Sequence, residues 1–371
     1  MKILMVNVPY SGHTNLTLPL AENLVKRGHH VVYINSEEFR HKIEETGAEF
    51  VPYKDFPLEP SAMYKKRNCF RCAFDTAMQL EDKFDLLIYE MFFYPGIEIA
   101  RKKNIPCVRQ FSQPAWNKET VNDAPKIFQI AVKLIDFQVM GKKRAKKMGL
   151  LHTTMKDAIL YDKPNLNIVY LPKKFQKDNE LFDDSFIFML PTHKVVSDSK
   201  LIPYEEMKHP IIYISLGSII SVRRFYRKCI NAFGNTDFSV ILNTGKIDPK
   251  TLGKIPDNIY AYSFVPQIEV LSHADVFLTH CGMNSVNEAI ENGVPMVAMP
   301  LLNDQFVNAD QIEKIGIGKK VSFLKTSEKE LFNTVCEVYK NEQIRKQVEE
   351  MKSDVQKQID WDTLISRLDN L

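Results

Sequence analysis

Apolar and polar positions in the first sixty residues alternate between two periods. "KILMVNVP" opens as an apolar run, and Lys2 to Val8 reads as a buried strand. From Asn15 to Lys26 the apolar positions Leu16, Leu20, Leu24 and Val25 fall at helical spacing, and Gly28 follows as a stop signal. "HHVVYINS" is then a second strand. The alternation continues through "FDLLIYE" (Phe84 to Glu90), a helix through Ile97 to Lys103, and "IPCVRQFS". Strand–helix–strand order of this kind predicts an α/β fold with a parallel, doubly wound sheet.

Around Pro210 the pattern restarts. "PIIYISLGS" is a strand ending in a Gly-Ser turn, a helix follows from about Arg223 to Phe233, and "FSVILNTG", "NIYAYSFVP", "VFLTHCG" and "VPMVAMP" supply further strands. The repeat predicts two Rossmann-like domains: 1–190, a linker over 191–209, and 210–352. A C-terminal helical segment, 353–371, is able to pack back on the first domain. Ligands of such sheets sit outside the carboxyl ends of the strands, which makes a cleft between the domains the expected site. The repeated Lys/Glu spacing from Ser327 to Leu371 reads as a solvated helix face.

Length agrees with this division, since 371 residues suit two domains of roughly 100–200 residues each. A net charge of +3 gives no support to a nucleic-acid partner and is compatible with a small anionic ligand. Six cysteines in so long a chain suggest reduced thiols and a cytoplasmic location, and Cys69-x-x-Cys72 has no second pair with which to hold zinc. No histidine pair has metal-ligand spacing. No run approaches the ~18 apolar residues of a membrane span, and the N-terminus starts as a strand and not as a signal peptide.

The stretch "THCGMNSVNEA", Thr279 to Ala289, carries two readings. In one, Ser285-x-x-Glu288 is a capping box that satisfies the helix's own amides. In the other, His280 sits at a strand end, Gly282 lets backbone approach closely, and a helix starting near Asn284 aims its amides and positive dipole end at an anion. No G-x-G-x-x-G and no Walker loop occurs, which weakens dinucleotide and ATP readings. Donors fixed before reaction would suit a diphosphate leaving group. In the first half, His13 of "PYSGHTN" follows the first strand and precedes a helix, and with an ordinary pKa of ~6.5 a histidine is suited to removing a proton from a hydroxyl.

From Phe264 to Gln305 the chain reads "FVPQIEVLSHADVFLTHCGMNSVNEAIENGVPMVAMPLLNDQ". This resembles the donor-binding signature of the family 1 UDP-dependent glycosyltransferases of GT-B fold, and "GHTN" near the start is similar to their macrolide-glycosyltransferase branch. The resemblance implies roles. Phe264 falls where the family usually stacks a Trp on uracil, and Val265 and Gln267 fall where it reads the base edge. His280, Asn284 and Ser285, with Ser218 as a weaker candidate, fall at the diphosphate contacts, beside Gly282. Glu288 falls at the ribose hydroxyls, and Asp304 and Gln305 at those of the donor sugar. His13 matches the catalytic base. Glu90 stands where the family has the Asp that orients it; one methylene longer, it is expected to meet His13 at a different angle or not at all.

Phe92, Phe93, Tyr94 and Trp116, on strand-end loops, either line an acceptor pocket or pack a core. The cluster "KKRAKK", Lys142 to Lys147, either touches an anionic membrane surface or is a solvated helix end, the second being the default for a cluster this size. The expectation is therefore an inverting transferase moving a hexose, glucose, from a UDP-sugar co-substrate to a hydroxyl of a small lipophilic acceptor such as a macrolide, flavonoid or phenol, with no cofactor and no metal. Its rivals are a glycolipid glycosyltransferase at the membrane surface, an inert UDP-binding protein and a sugar-nucleotide epimerase.

Overall fold

The computed structural model describes residues 1–123, 126–190, 202–217, 220–302 and 304–371. The chain divides into two compact units, Met1–Pro191 with Gln358–Leu371, and Thr192–Lys357.

The first unit is built on seven strands: β1 (Lys2–Val6), β2 (His30–Asn35), β3 (Glu49–Pro52), β4 (Leu86–Glu90), β5 (Cys107–Phe111), β6 (Leu166–Val169) and β7 (Phe186–Phe188), in the spatial order β3-β2-β1-β4-β5-β6-β7. Every pairing is parallel. A central parallel strand is covered on both faces, which is why Ile3, Leu4, Met5 and Val6 are all apolar and all buried. The helical pattern after β1 resolves into a short helix Ser11–Thr14, a 3-10 turn Asn15–Thr17 and a helix Leu18–Lys26. Pro19 lies in the first turn of the last of these, where its missing N–H is tolerated, and so the ladder restarts there instead of running through. Leu16, Leu20 and Leu24 are buried against the sheet, as their spacing requires.

The second unit carries six strands: β8 (Ile211–Ser215), β9 (Ser239–Asn243), β10 (Ile259–Tyr262), β11 (Val276–Thr279), β12 (Met296–Ala298) and β13 (Gly318–Lys320), ordered β10-β9-β8-β11-β12-β13 and again all parallel. Helix Glu342–Gln356 belongs to this unit, so the boundary falls at Lys357 and not at 352. Helix Trp361–Asp369 belongs to the first unit. Asp360 caps it, and Leu364, Ile365 and Leu368 enter that unit's core.

In each sheet the strand order reverses once, between β1 and β4 and between β8 and β11. Those reversals open crevices outside the carboxyl ends of the strands. Among the described residues, no helix is long and apolar enough to cross a membrane.

Candidate active site

His13 lies just past β1, at the reversal of the first sheet. Its loop is held by Asn7, whose Nδ2 donates to Thr17 Oγ1 (3.0 Å), Tyr33 Oη (2.9 Å) and the His13 carbonyl (3.4 Å), all from buried or half-buried positions. The ring meets the end of β4 directly: Nδ1 lies 2.9 Å from Glu90 Oε1. Glu90 thus does reach the histidine despite its extra methylene.

A third group completes the cluster. Ser112, one residue past β5, places its Oγ 2.7 Å from His13 Nδ1 and 2.8 Å from Glu90 Oε1. The other carboxylate oxygen accepts the Phe92 amide at 2.7 Å. Glu90 is fully buried, and an ionised carboxylate in that position is tolerable only because donors surround it. Since a carboxylate can only accept, Nδ1 carries the imidazole proton and Nε2 is left with the lone pair. The Phe92 ring stands edge-on to the imidazole, centroids 4.9 Å apart at 89°. Ser112 is missing from the sequence reading. The signal was available: "QFS" ends the strand next to β4, and parallel neighbours bring their carboxyl ends together.

Of the aromatic candidates, Phe92 and Trp116 are half-buried. Phe93 is fully buried, edge-on to Phe70 at 5.7 Å, so its ring fills the core and the expectation that it lines an acceptor pocket is corrected. Tyr94 likewise turns inward and donates to Asp136 Oδ1 at 3.0 Å. Cys69 and Cys72 are buried thiols on helix Ala62–Gln79, and burial pushes Cys69 up to about 12. Among the described residues no group of three or more His, Cys, Asp or Glu could hold a metal ion.

The second sheet's reversal holds His280, one residue past β11. The chain turns through Cys281 at a left-handed φ of 66°, held by Cys281 N to Thr279 Oγ1 (3.2 Å) and by Asn308 Nδ2 to the Cys281 carbonyl (2.9 Å). The imidazole is packed between two glycines. A Cβ on Gly217, which follows β8, would lie 2.6 Å from the ring, and so would one on Gly282. Burial lowers the His280 pKa to about 4, so the ring is neutral at pH 7. Among the described residues its Nδ1 has no hydrogen-bond partner. Ser218 lies outside the described residues.

Helix Met283–Asn292 begins with Gly282 as its N-cap, and no side chain caps it. Ser285 is therefore the third helical residue, and the capping-box reading of Ser285 and Glu288 is corrected; a capping box does form in this unit at Ser327 with Glu330. Ser285 Oγ instead accepts from Gln267 Nε2 at 3.1 Å, and the same amide donates to Glu288 Oε2 at 2.5 Å, while Tyr213 Oη donates to Gln267 Oε1 at 3.1 Å. Gln267, Ser285 and Glu288 thus form one polar cluster, and Asn284 is half-buried beside it in sequence. Phe264, on the loop after β10, is 76% exposed, next to a buried Val265. Asp304 is the N-cap of helix Gln305–Lys314, and Gln305 Oε1 accepts from the Leu301 and Leu302 amides, both at 2.9 Å, which fixes the loop after β12.

This chain superposes on the crystal structure of the glycotransferase of kitacinnamycin with a TM-score of 0.81 and 25% identity, covering 96% of this chain and 95% of that one. The two parallel sheets and this likeness define a glycosyltransferase of GT-B fold. The family described as UDP-glucoronosyl and UDP-glucosyl transferase matches residues 200–360. NDP-glycosyltransferase YjiC of Bacillus subtilis (strain 168) is 30% identical over 95% of this chain and 93% of its own. The oleandomycin glycosyltransferase of Streptomyces antibioticus is 26% identical over 86% of this chain and 79% of its own. The chain belongs to the UDP-glucoronosyl and UDP-glucosyl transferase family.

Proposed function

We propose that this enzyme transfers glucose from UDP-glucose, with inversion, to a hydroxyl of a small lipophilic acceptor such as a macrolide, flavonoid or phenol. The observation that carries the reading is the His13–Glu90–Ser112 cluster, with an Nε2 lone pair at the mouth of the first crevice. The acceptor hydroxyl gives its proton to His13 Nε2, and its oxygen bonds to the anomeric carbon as the bond from that carbon to the β-phosphate oxygen breaks. UDP leaves with the electron pair. Glu90 stabilises the imidazolium and keeps its tautomer fixed.

On the donor side, the first-turn amides of helix Met283–Asn292, with Asn284 and Ser285, face developing charge on the diphosphate, and His280 offers a neutral ring N–H to it. Phe264 offers a stacking face to uracil, with Val265 and Gln267 at its edge. Glu288 takes the ribose hydroxyls, and Asp304 and Gln305 those of glucose. The UDP-sugar is a co-substrate, and neither cofactor nor metal enters this reading. The similarity to oleandomycin glycosyltransferase supports a macrolide-like acceptor. The intact contact between His13 and Glu90 favours turnover over a binding-only role. Six free thiols accord with a cytoplasmic location.

The test is incubation with UDP-glucose and a mixed library of macrolides, flavonoids and phenols, read by mass spectrometry for the gain of one hexose. His13→Ala should abolish the product and leave UDP affinity nearly unchanged. Turnover of dTDP-sugars with none of UDP-glucose would overturn the donor assignment, and equal loss of transfer and UDP affinity in His13→Ala would overturn the base.

A further inference from the structure

The first unit carries an apolar stripe that faces solvent. On helix Lys126–Val139, Ile130, Leu134 and Phe137 are 56%, 55% and 75% exposed. At about 100° per residue these positions share one face, and Val139, on the far side, is buried. The helix is thus apolar both where it packs and where it meets water. A cluster of large exposed apolar side chains marks an interaction surface.

A second observation says what covers it. The next helix, Gly141–Met148, reads "GKKRAKKM", with no acidic residue and with Lys142, Lys143, Arg144, Lys146 and Lys147 all exposed. Arg144 donates to the Arg67 carbonyl at 2.9 Å. The four lysines form no ion pair among the described residues, although the chain as a whole carries 46 Asp and Glu against 49 Lys and Arg. A concavity of about 950 Å³ joins the two features, lined by Phe137, Met140, Lys133, Lys142 and Lys143. The two acids that also line it are occupied, Asp136 by the Tyr94 hydroxyl and the Met155 amide, Asp157 by Thr154.

We propose that this face docks the protein on an anionic lipid bilayer, with Ile130, Leu134 and Phe137 in the headgroup–acyl boundary and Lys133, Lys142, Lys143, Lys146 and Lys147 on lipid phosphates. An apolar stripe flanked by unpaired lysines is the composition of an interfacial helix, and the lysine stems can lie along the apolar surface while their ammonium groups reach outward. Three apolar side chains and a handful of charges give reversible docking, not permanent insertion. The proposal does not depend on which sugar or acceptor is used.

The test is co-sedimentation of the full chain with vesicles of phosphatidylcholine alone or mixed with phosphatidylglycerol, at low and high salt. Binding is expected only to the anionic vesicles, and it should be lost as the screening length falls from about 30 Å at 0.01 M to about 3 Å at 1 M salt. Leu134→Ser with Phe137→Ser, and separately Gln at Lys142, Lys143, Lys146 and Lys147, should each reduce the bound fraction by roughly tenfold. Neither should alter the melting temperature, because these side chains are exposed. Equal binding to neutral vesicles, no binding to anionic vesicles at low salt, or no greater loss than in a Lys346→Gln control overturns the proposal. Retention of an acidic soluble protein in place of anionic vesicles would likewise overturn it and assign the face to a protein partner.

Discussion

Glu90 and His13, 77 residues apart in the chain, meet at 2.9 Å because the strands that deliver them, β1 and β4, are parallel neighbours at the point where the sheet order reverses. Glu90→Gln tests what the charge does. An amide cannot accept at both oxygen positions. It must either set its NH2 against the Phe92 amide or force the Nδ1 lone pair to face it, which moves the ring proton to Nε2. Transfer should fall by about 10³–10⁴-fold in kcat, the scale seen when a buried acid behind a catalytic histidine is made neutral. A kcat within tenfold of wild type would show that the carboxylate does not set the tautomer.

Ser112 contributes a hydroxyl to both partners of that contact. Ser112→Ala should cost about 1 kcal/mol of stability, the usual net worth of a buried hydrogen bond. It should lower kcat by roughly tenfold with little change in the acceptor KM, because the lost group orients the proposed base and is not assigned to bind substrate. Ser112→Thr should restore most of the rate. A variant that melts earlier yet keeps its rate and pH profile would confine Ser112 to packing.

His280 gives the protein an acid-side weakness. Its folded pKa of about 4 lies below the ordinary 6.5, so between these values the unfolded chain binds a proton that the folded chain refuses. Stability from this group is complete above pH 6.5 and is lost as pH falls toward 4, by about 3 kcal/mol in all. Asp136 and Asp162, whose carboxyls burial raises, act in the opposite sense, so the comparison must be against a variant. Denaturant unfolding of wild type and His280→Asn across that range should show the gap between them narrow in acid. Parallel curves would mean that His280 titrates normally.

The ring's two glycine walls make a sharper test of the proposed donor site. Gly282 has a φ of −60°, which any residue accepts, so Gly282→Ala adds only a methyl 2.6 Å from the imidazole. Gly217 blocks retreat on the other side. The overpacking should cost about 1–3 kcal/mol. UDP affinity, measured by titration calorimetry, should fall by roughly tenfold or more, since displacing the ring also disturbs the helix start. Unchanged UDP affinity would remove His280 from the donor site.

Much of the fold is legible in the chain itself. Buried parallel strands are apolar runs, and the runs from Lys2 to Val8 and from Val276 to Leu278 declared both sheets. The motif around His280 was legible because a strand, a tight turn and a helix start are consecutive in sequence. Ser112 was not, because its meaning depends on which strand lies beside β4. The inward turn of Phe93 was hidden for a related reason: an aromatic run at a strand end does not reveal which ring faces the core. The capping-box reading of Ser285 fails because the helix starts three residues earlier than that signature places it, with Gly282 and not Ser285 as N-cap. Gly282 holds the cap, and that freed Ser285 to pair with Gln267.

The first unit closes with the last helix of the chain, which slots Leu364, Ile365 and Leu368 beside Leu20 and Leu24. The second unit is one contiguous stretch, Thr192–Lys357, whereas the sheet bearing His13 draws one of its covering layers from this distant segment. A chain cut just before Trp361 would therefore keep every residue of the second unit, yet leave the first with an uncovered greasy seam along Leu20 and Leu24.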